Sequence, residues 1–579
     1  MKRLLGYLTE YKKECVLGPL FKLLEASFEL LVPLVMAAVI DTGIKSQSQG
    51  YVIQMCLVLV GLGLVGLVCS ITAQYFAAKA SVGFAAKVRG ALFGHIQRLG
   101  FRELDREGAA TLITRMTSDL NQVQNGMNLA LRLLLRSPFV VFGAMVMAFT
   151  IDWRAALIFA VAIPLLAVVV FGVMLWTMPR YKQVQAGLDR VLGKTWENLT
   201  GVRVVRAFGR EETETAAFQE ENEALTRLQV FVGRVSGLMN PVTYILINLA
   251  TLALVWAGGL RVEAGAITQG QVVALLNYMG QILVELVKLA NLIINITKAL
   301  ACAGRVADVM DIAPSLSEKP GAAKAGTEEG QGLSVEFRDV CLAYEGAGAE
   351  SLSHISFSVK PGETVGIIGG TGCGKTSLVN LIPRFYDCTL GQVLIGGVPA
   401  GDWPLQSLRG EIGVVPQRAQ LFSGTIREKL QWGGGDASDE ELWQALETAQ
   451  AKEFVEKKPK GLDEPVAQGG RNFSGGQRQR LTIARALARR PRLLILDDSA
   501  SALDFATDAR LRSAIKNLPY GQTVFIVSQR ASSIRHADKI IVLDDGCAVG
   551  IGSHEELLES CEVYREICES QMEKGGEGA

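Results

Sequence analysis

The chain has 579 residues, room for two or more domains, and 49% of them are hydrophobic. Its mean hydropathy of +0.26 is too apolar for an ordinary soluble enzyme. Lysine plus arginine and aspartate plus glutamate each number 58, so no charge excess points to nucleic acid. The ten cysteines are scattered without C-x-x-C pairs, which argues against a zinc site or a disulfide framework. Cys341, Cys373, Cys388, Cys547 and Cys561 fall in the more polar second half, in keeping with a reducing cytosol.

The apolar excess lies in the first 300 residues. Six stretches there reach the roughly 20 residues that a helix needs to cross a bilayer. They lie near residues 15–40, 53–78, 131–151, 155–177, 240–260 and 272–299. Basic residues give them a direction. Lys2, Arg3, Lys12 and Lys13 precede the first span, and Arg89, Arg98, Arg102, Arg106 and Arg115 lie between the second and third. Arg180, Lys182, Arg190, Lys194, Arg203, Arg206 and Arg210 lie between the fourth and fifth. The remaining connections are short and carry only Lys45, Arg154 and Arg261, so the positive-inside rule puts both termini in the cytoplasm. The first apolar run is of full spanning length without a small-residue cleavage site, and is expected to remain a span.

The two long inside connections, residues 79–130 and 178–239, are charged and helix-prone, and should carry the membrane helices on into the cytosol. Within the spans, Lys22, Glu25 and Glu29 share a helix face, as do Glu285 and Lys288. Charges at such depth are candidates to line a cavity, where acids would favour a cationic amphipathic cargo. The bland reading is that they pair with one another or snorkel to the interface.

Residues 314–332 (PSLSEKPGAAKAGTEEGQG) read as a linker, and from Leu333 onward short β-type runs alternate with helical ones. The expected division is therefore 1–313 for the membrane domain, 314–332 for the linker and 333–579 for an α/β domain. Within the last, residues 369–376 read GGTGCGKT, the G-x-x-x-x-G-K-[ST] phosphate loop, preceded by an apolar strand-like run and followed by a helical one. Gly369, Gly370, Thr371, Gly372, Cys373 and Gly374 should turn backbone N–H groups toward the phosphates of ATP. Lys375 should meet the β/γ-phosphates and the Thr376 hydroxyl should hold Mg²⁺. The Cys373 thiol should be shielded from thiol reagents by bound ATP, and the helix start beside it should favour its thiolate.

About a hundred residues later the chain reads FSGGQ at 473–477, followed by RQRL. Six spans followed by this pair of motifs resemble the ATP-binding cassette (ABC) exporters, and the likeness covers nearly the whole chain. The resemblance implies a polytopic α-helical membrane domain of six transmembrane helices followed by an α/β P-loop NTPase (ABC cassette) domain. It implies a multi-pass protein of a bacterial plasma membrane, with the N-terminus and cassette in the cytoplasm. FSGGQ matches the family signature, so Ser474, Gly475, Gly476 and Gln477 should close over ATP held by a second subunit. Tyr344 resembles the aromatic residue that stacks on adenine, and Gln417 the glutamine that touches Mg²⁺ and reports nucleotide state. Asp497, ending LLILD, resembles the aspartate that holds the Mg²⁺ water shell, and residues 501–504 (SALD) match the loop that crosses the dimer interface. Residues 101–123 and 197–211 resemble the two intracellular loops that press on the cassettes, the second on the opposite subunit.

Two positions depart from the pattern. Where the family has the glutamate that polarises water, this chain has Asp498, one methylene shorter and so about 1.5 Å short in reach. Where the family has a histidine after VS, it has Gln529, an amide that cannot become a cation. Gln468, just before the signature, stands where many exporters carry an acidic residue. Together these imply a catalytic set of Asp498, Gln529 and Gln417 that binds ATP but turns it over slowly. The partner implied is a second ABC half-transporter with glutamate and histidine at those positions, in a heterodimer that moves small amphipathic compounds, drugs or lipids, out of the cytoplasm. Peptide export, siderophore import by an exporter-like fold and an ATP-gated regulatory role remain open alternatives; nucleic acid is not an expected partner.

Overall fold

A computed structural model of the protein describes residues 2–316, 332–435, 437–499 and 502–576. The expected linker thus lies largely outside the described residues, as does Ser501. The chain separates into two compact units, residues 1–97 with 110–312 and residues 98–109 with 313–579.

The first unit is helical. Its main elements are α1 (Lys12–Ala38), α2 (Gln49–Ile96), α3 (Leu120–Leu133), α4 (Arg136–Ile151), α5 (Trp153–Thr200), α6 (Val202–Ala207), α7 (Glu211–Glu263) and α8 (Gln269–Asp311). Six continuous helical stretches are long and apolar enough to cross a membrane. Their length decides what the connections are. Helix α2 has 48 residues, about 72 Å at 1.5 Å per residue, against a hydrocarbon core of about 30 Å. The charged connections are continuations of the membrane helices, as their composition indicates.

Small side chains set the packing of this unit. Ala26, Ala73, Ala77, Ala144, Ala148, Ala156 and Ala274 are fully buried, which lets helix backbones approach closely where lipid offers no hydrophobic drive between helices. Large apolar residues such as Leu64, Leu67, Val161, Val168 and Leu175 point outward instead. Pro33 interrupts the α1 ladder by lacking an amide, and the fully buried Tyr278 of α8 donates its hydroxyl to the neighbouring Leu30 carbonyl (2.6 Å).

The second unit is an α/β cassette. An antiparallel sheet is built from β1 (Val335–Leu342), β2 (Leu352–Val359) and β4 (Leu390–Ile395), with β1 in the middle. A second sheet has the order β9–β8–β3–β7–β6–β5: Cys547–Gly552, Lys539–Asp544, Thr364–Gly369, Thr523–Val527, Leu493–Asp497 and Ile412–Val415. All its neighbours are parallel except β8–β9. Every residue of β6 is buried, the mark of a strand covered on both faces, so its sequence LLILD is a continuous apolar run without alternation.

Register then places the site. Val527 at the end of β7 pairs with Ile367 of β3 on one side and Asp497 of β6 on the other. The residues that follow these three strands therefore emerge together at the carboxyl edge of the sheet, where α/β folds hold their ligands.

Candidate nucleotide site

Residues 370–374 leave β3 as a tight loop and lead into α9 (Lys375–Leu381). The loop requires glycine at two points. A Cβ on Gly369 would lie 2.0 Å from the Leu543 carbonyl oxygen, and Gly374 has φ 94° with its Cβ position 2.6 Å from the Ser351 carbonyl. The Lys375 ammonium is buried and folded back into the loop, donating to the carbonyls of Gly369 (2.8 Å) and Gly370 (2.5 Å). The Cys373 sulfur also lies 3.6 Å from it; all three are neutral partners, and phosphate oxygens would be stronger acceptors.

Opposite the loop stand two acids. Asp497 is buried, and the Thr376 hydroxyl bridges both its carboxylate oxygens at 3.1 Å. Burial pushes the Asp497 carboxyl above the usual carboxylate range, and the neighbouring Asp498 charge adds to the rise, against the lowering pull of Thr376 and Lys375. Asp498 is raised too, again by desolvation. Its backbone is left-handed, with φ 43°, a strained conformation for a non-glycine residue, and its N–H donates to the Val527 carbonyl (3.0 Å). Its Oδ2 accepts from Gln417 Nε2 (3.3 Å) and is 3.5 Å from Gln529 Nε2. The three residues that the sequence singled out for catalysis thus meet on one carboxylate oxygen.

A cavity of about 370 Å³ opens between them. Tyr344, Thr371, Gly372, Gly374, Lys375 and Thr376 line one side, and Gln417, Asp497, Asp498 and Gln529 the other. Ser351, Ser377 and Val527, which sequence reasoning passed over, complete it. The Tyr344 hydroxyl donates to Ser377 Oγ (2.9 Å). Gly369, Gly370 and Cys373 are not part of the lining. Cys373 is 6% exposed and packs into the cassette core, so the expected nucleotide-shielded thiol is closed to reagents by the fold itself. The donor set fits Mg²⁺: two neighbouring carboxylates and a hydroxyl are hard oxygen ligands.

Ser474 to Gln477 are outside this cavity. Ser474 caps α10 (Gly475–Leu487), its hydroxyl accepting from Gln477 N–H (3.3 Å) while Gln477 Oε1 accepts from Ser474 N–H (3.0 Å). Ser474 and Gly475 are exposed. A Cβ on Gly476 would lie 3.1 Å from the Ala502 carbonyl, so the helix start abuts the SALD stretch, whose Asp504 caps α11 (Phe505–Lys516).

Sequence comparison decides the family. The family model of the ABC transporter transmembrane region matches residues 15–286, and that of the ABC transporter matches residues 352–501. An uncharacterised ABC transporter ATP-binding protein of Mycobacterium tuberculosis is 36% identical over 568 residues, covering 98% of this chain and 97% of its own. The chain belongs to the ABC transporter family. An ATP-dependent lipid A-core flippase of Chromobacterium violaceum is 31% identical over 98% of this chain and 96% of its own. In fold, this ABC exporter matches a bacterial Atm1-family ABC exporter solved with ATP bound, with TM-score 0.81, 24% identity, 97% of this chain and 99% of that one. Its cassette binds ATP with Mg²⁺ and couples ATPase activity to transport across the membrane.

The exporter's intramembrane charges are paired. Lys22 Nζ meets Glu25 (2.5 Å) and Ser70 Oγ (3.2 Å). Glu285 takes Arg136 Nη1 (2.7 Å), Lys288 Nζ (2.9 Å) and the Ser137 hydroxyl (2.8 Å), while Arg136 Nη2 reaches Glu29 (2.6 Å). Arg136, which sequence reasoning left out, is the centre of the network. Three acids face three bases, so the argument from an acid-lined cavity to a cationic cargo loses its footing. The signal that could have found Arg136 is its position, a lone arginine opening an apolar helix beside two acid-bearing spans.

Proposed function

We propose that this chain is the slow-site subunit of a heterodimeric exporter of a bacterial plasma membrane. The observation that supports it is the shared Asp498 oxygen. A carboxylate one methylene short, reached by two glutamine amides where the family has an imidazole, is a poorly placed base. Loss of a positioned general base costs about 10²–10⁴-fold in rate. Tyr344 and the 369–376 loop hold ATP: the ring stacks on adenine, and Lys375 trades its carbonyl partners for phosphate oxygens. Mg²⁺, when bound, neutralises phosphate charge, and Thr376, Gln417 and Asp497 are the residues that hold it. Asp498 orients water slowly, and Gln529 steadies the γ-phosphate as a neutral donor.

The exposed Ser474–Gln477 turn, remote from the chain's own pocket lining, fits a role at the site of a partner half-transporter that carries glutamate and histidine. The intracellular loops support coupling in the same frame. The short helix Phe101–Glu107 groups with the cassette: the Phe101 ring lies 4.7 Å from that of Phe385, Tyr386 donates to Asp105 (2.5 Å), and Arg102 pairs with Glu345 (2.9 Å), next to Tyr344. Around α6 in the second loop, Val204 and Phe208 are 61% and 77% exposed, apolar surface suited to the opposite cassette. With the membrane charges balanced, cargo selection rests on apolar contact, which favours small amphipathic compounds, drugs or lipids.

Purified alone, the chain should hydrolyse ATP poorly. Co-expressed with its partner, it should yield a one-to-one complex with robust turnover. A homodimer of this chain with full activity would remove the reading.

A further inference from the structure

The C-terminal helix α13 (Glu562–Gly576) reaches back to the catalytic edge. It is anchored by Tyr564, which is fully buried, and by Cys561 and Cys568, in one core with Ala531 and Ile534 of the short helix α12 (Ala531–Ile534). From there the Gln571 side chain grips the backbone on either side of Arg530. Gln571 Nε2 donates to the Gln529 carbonyl (2.8 Å), and Gln571 Oε1 accepts from the Ala531 N–H (2.8 Å).

The two contacts have opposite polarity, so one primary amide satisfies both and only in one orientation. Such a two-pronged clamp removes the loop's freedom to pivot about a single bond. The loop it holds matters. Gln529 lines the nucleotide cavity, and its side chain is already at the 3.5 Å limit of contact with Asp498. A further displacement of about 1 Å would break that contact, and small misplacements of this size are known to cost large factors in rate. Other bonds hold the neighbouring residues. Ser528 N–H donates to the Ile367 carbonyl (3.1 Å), Ser528 Oγ accepts from Arg530 N–H (2.9 Å), and Ser533 donates its N–H to the Arg530 carbonyl (3.1 Å) and its hydroxyl to Asp508 (3.1 Å). None of these takes hold of Gln529 itself.

We propose that Gln571 is a positioning residue for the nucleotide site, through which the C-terminal helix sets the place of Gln529 beside Asp498. This rests on the assignment of Gln529 to the nucleotide. The helix is thereby part of the site: whatever shifts it shifts Gln529. Gln571 is exposed, so water can replace both of its hydrogen bonds when it is removed, and the cassette should stay folded. That separates positioning from support.

The test uses the full exporter complex, loaded with a photoreactive azido-ATP that labels each chain separately. Retention is read as the time course of label lost from this chain on chase with ATP. Gln571→Ala should shorten retention about five-fold or more with an unchanged unfolding midpoint. Gln571→Glu, which keeps the acceptor but sets a carboxylate against the Gln529 carbonyl, should do the same. Gln529→Ala should also shorten retention, and Gln571→Ala added to it should cost nothing further. If Gln529→Ala shortens retention and Gln571→Ala does not, the clamp is refuted while the nucleotide assignment stands. If Gln571→Ala is equally harmful with Gln529 already removed, the residue is merely structural and the proposal falls. If neither variant changes retention, the nucleotide assignment of Gln529 falls and takes the proposal with it.

Discussion

Two clusters of charge in this exporter look alike in sequence and differ in structure. In the membrane unit, Glu285 is met by Arg136, Lys288 and Ser137 within 3 Å, and Arg136 goes on to Glu29. In the cassette, Asp497 and Asp498 sit side by side, the Thr376 hydroxyl on the first and the Gln417 and Gln529 amides on the second, and burial raises both. The first cluster is electrically complete. The second gathers two raised carboxylates and a hydroxyl at a cavity, hard oxygen donors of the kind that suit a Mg²⁺–nucleotide complex. Depth and acidity alone do not mark a ligand site; the balance of partners does.

The largest effect that bears on this contrast is Arg136→Ala. It would leave Glu29 without its partner and Glu285 with Lys288 alone, and breaking a buried pair on one side costs about 3–5 kcal/mol. The expected outcome is loss of monodisperse protein in detergent. Replacing Arg136 and Glu285 together by leucine should recover much of it, since Glu29 and Lys288 are 41% and 48% exposed and are not enclosed by the protein. A folded Arg136→Ala protein that has lost only transport would turn the membrane cluster into a cargo site and erase the contrast.

The second prediction addresses the cassette cluster. In the complex with its partner, Asp498→Asn should leave most turnover intact, whereas removal of the partner's glutamate should abolish it. Asp498→Glu alone should restore little, because Gln529 still cannot carry charge. Asp498→Glu with Gln529→His should raise total turnover to at most about twice, since one slow site joins one fast one. Equal loss from Asp498→Asn and from the partner's glutamate would make Asp498 a working base.

The contrast also explains what the sequence disclosed. The six spans, the phosphate loop and the candidate trio of Gln417, Asp498 and Gln529 were legible because length, hydropathy and motif spacing are local properties. The convergence of Gln417, Asp498 and Gln529 depended on strand register, yet family-like spacing foreshadowed it. Arg136 and Gln571 were hidden because their partners lie 107 and 42 residues away, on other elements. Cys373 was misjudged for a related reason: a motif tells which residues share a loop, and only packing tells which of them face inward.

A smaller effect should follow from the raised acids. The folded Asp497 lies above its unfolded value, so keeping it charged at neutral pH costs stability. That cost shrinks as pH falls below the raised value and is gone below the ordinary carboxylate range, where both states are protonated. Without nucleotide, Asp497→Asn should therefore raise the unfolding midpoint at neutral pH by about 2 °C, and the gap should close on acidification. With Mg²⁺ and ATP present the order should invert, because the charged form is then the one held. A variant that is less stable than the parent without nucleotide would show that Asp497 is already matched, and the cassette cluster would resemble the membrane one after all.

The smallest effect separates the two ends of Tyr344. Its ring meets Tyr386 edge-on at 5.2 Å, and its hydroxyl donates to Ser377 Oγ beside Thr376. Tyr344→Phe keeps the π face and removes only a neutral hydrogen bond at a partly exposed site, where water can take its place. ATP affinity should change less than about three-fold. Tyr344→Ala removes the ring, and stacking of a base on an aromatic side chain is worth about 1–3 kcal/mol, which predicts a loss of roughly five- to 150-fold in affinity. Equilibrium binding of a fluorescent ATP analogue to the two variants reads both numbers. Equal losses would mean that Tyr344 acts by holding Ser377 and the start of the phosphate-loop helix, and that adenine is held by some other surface.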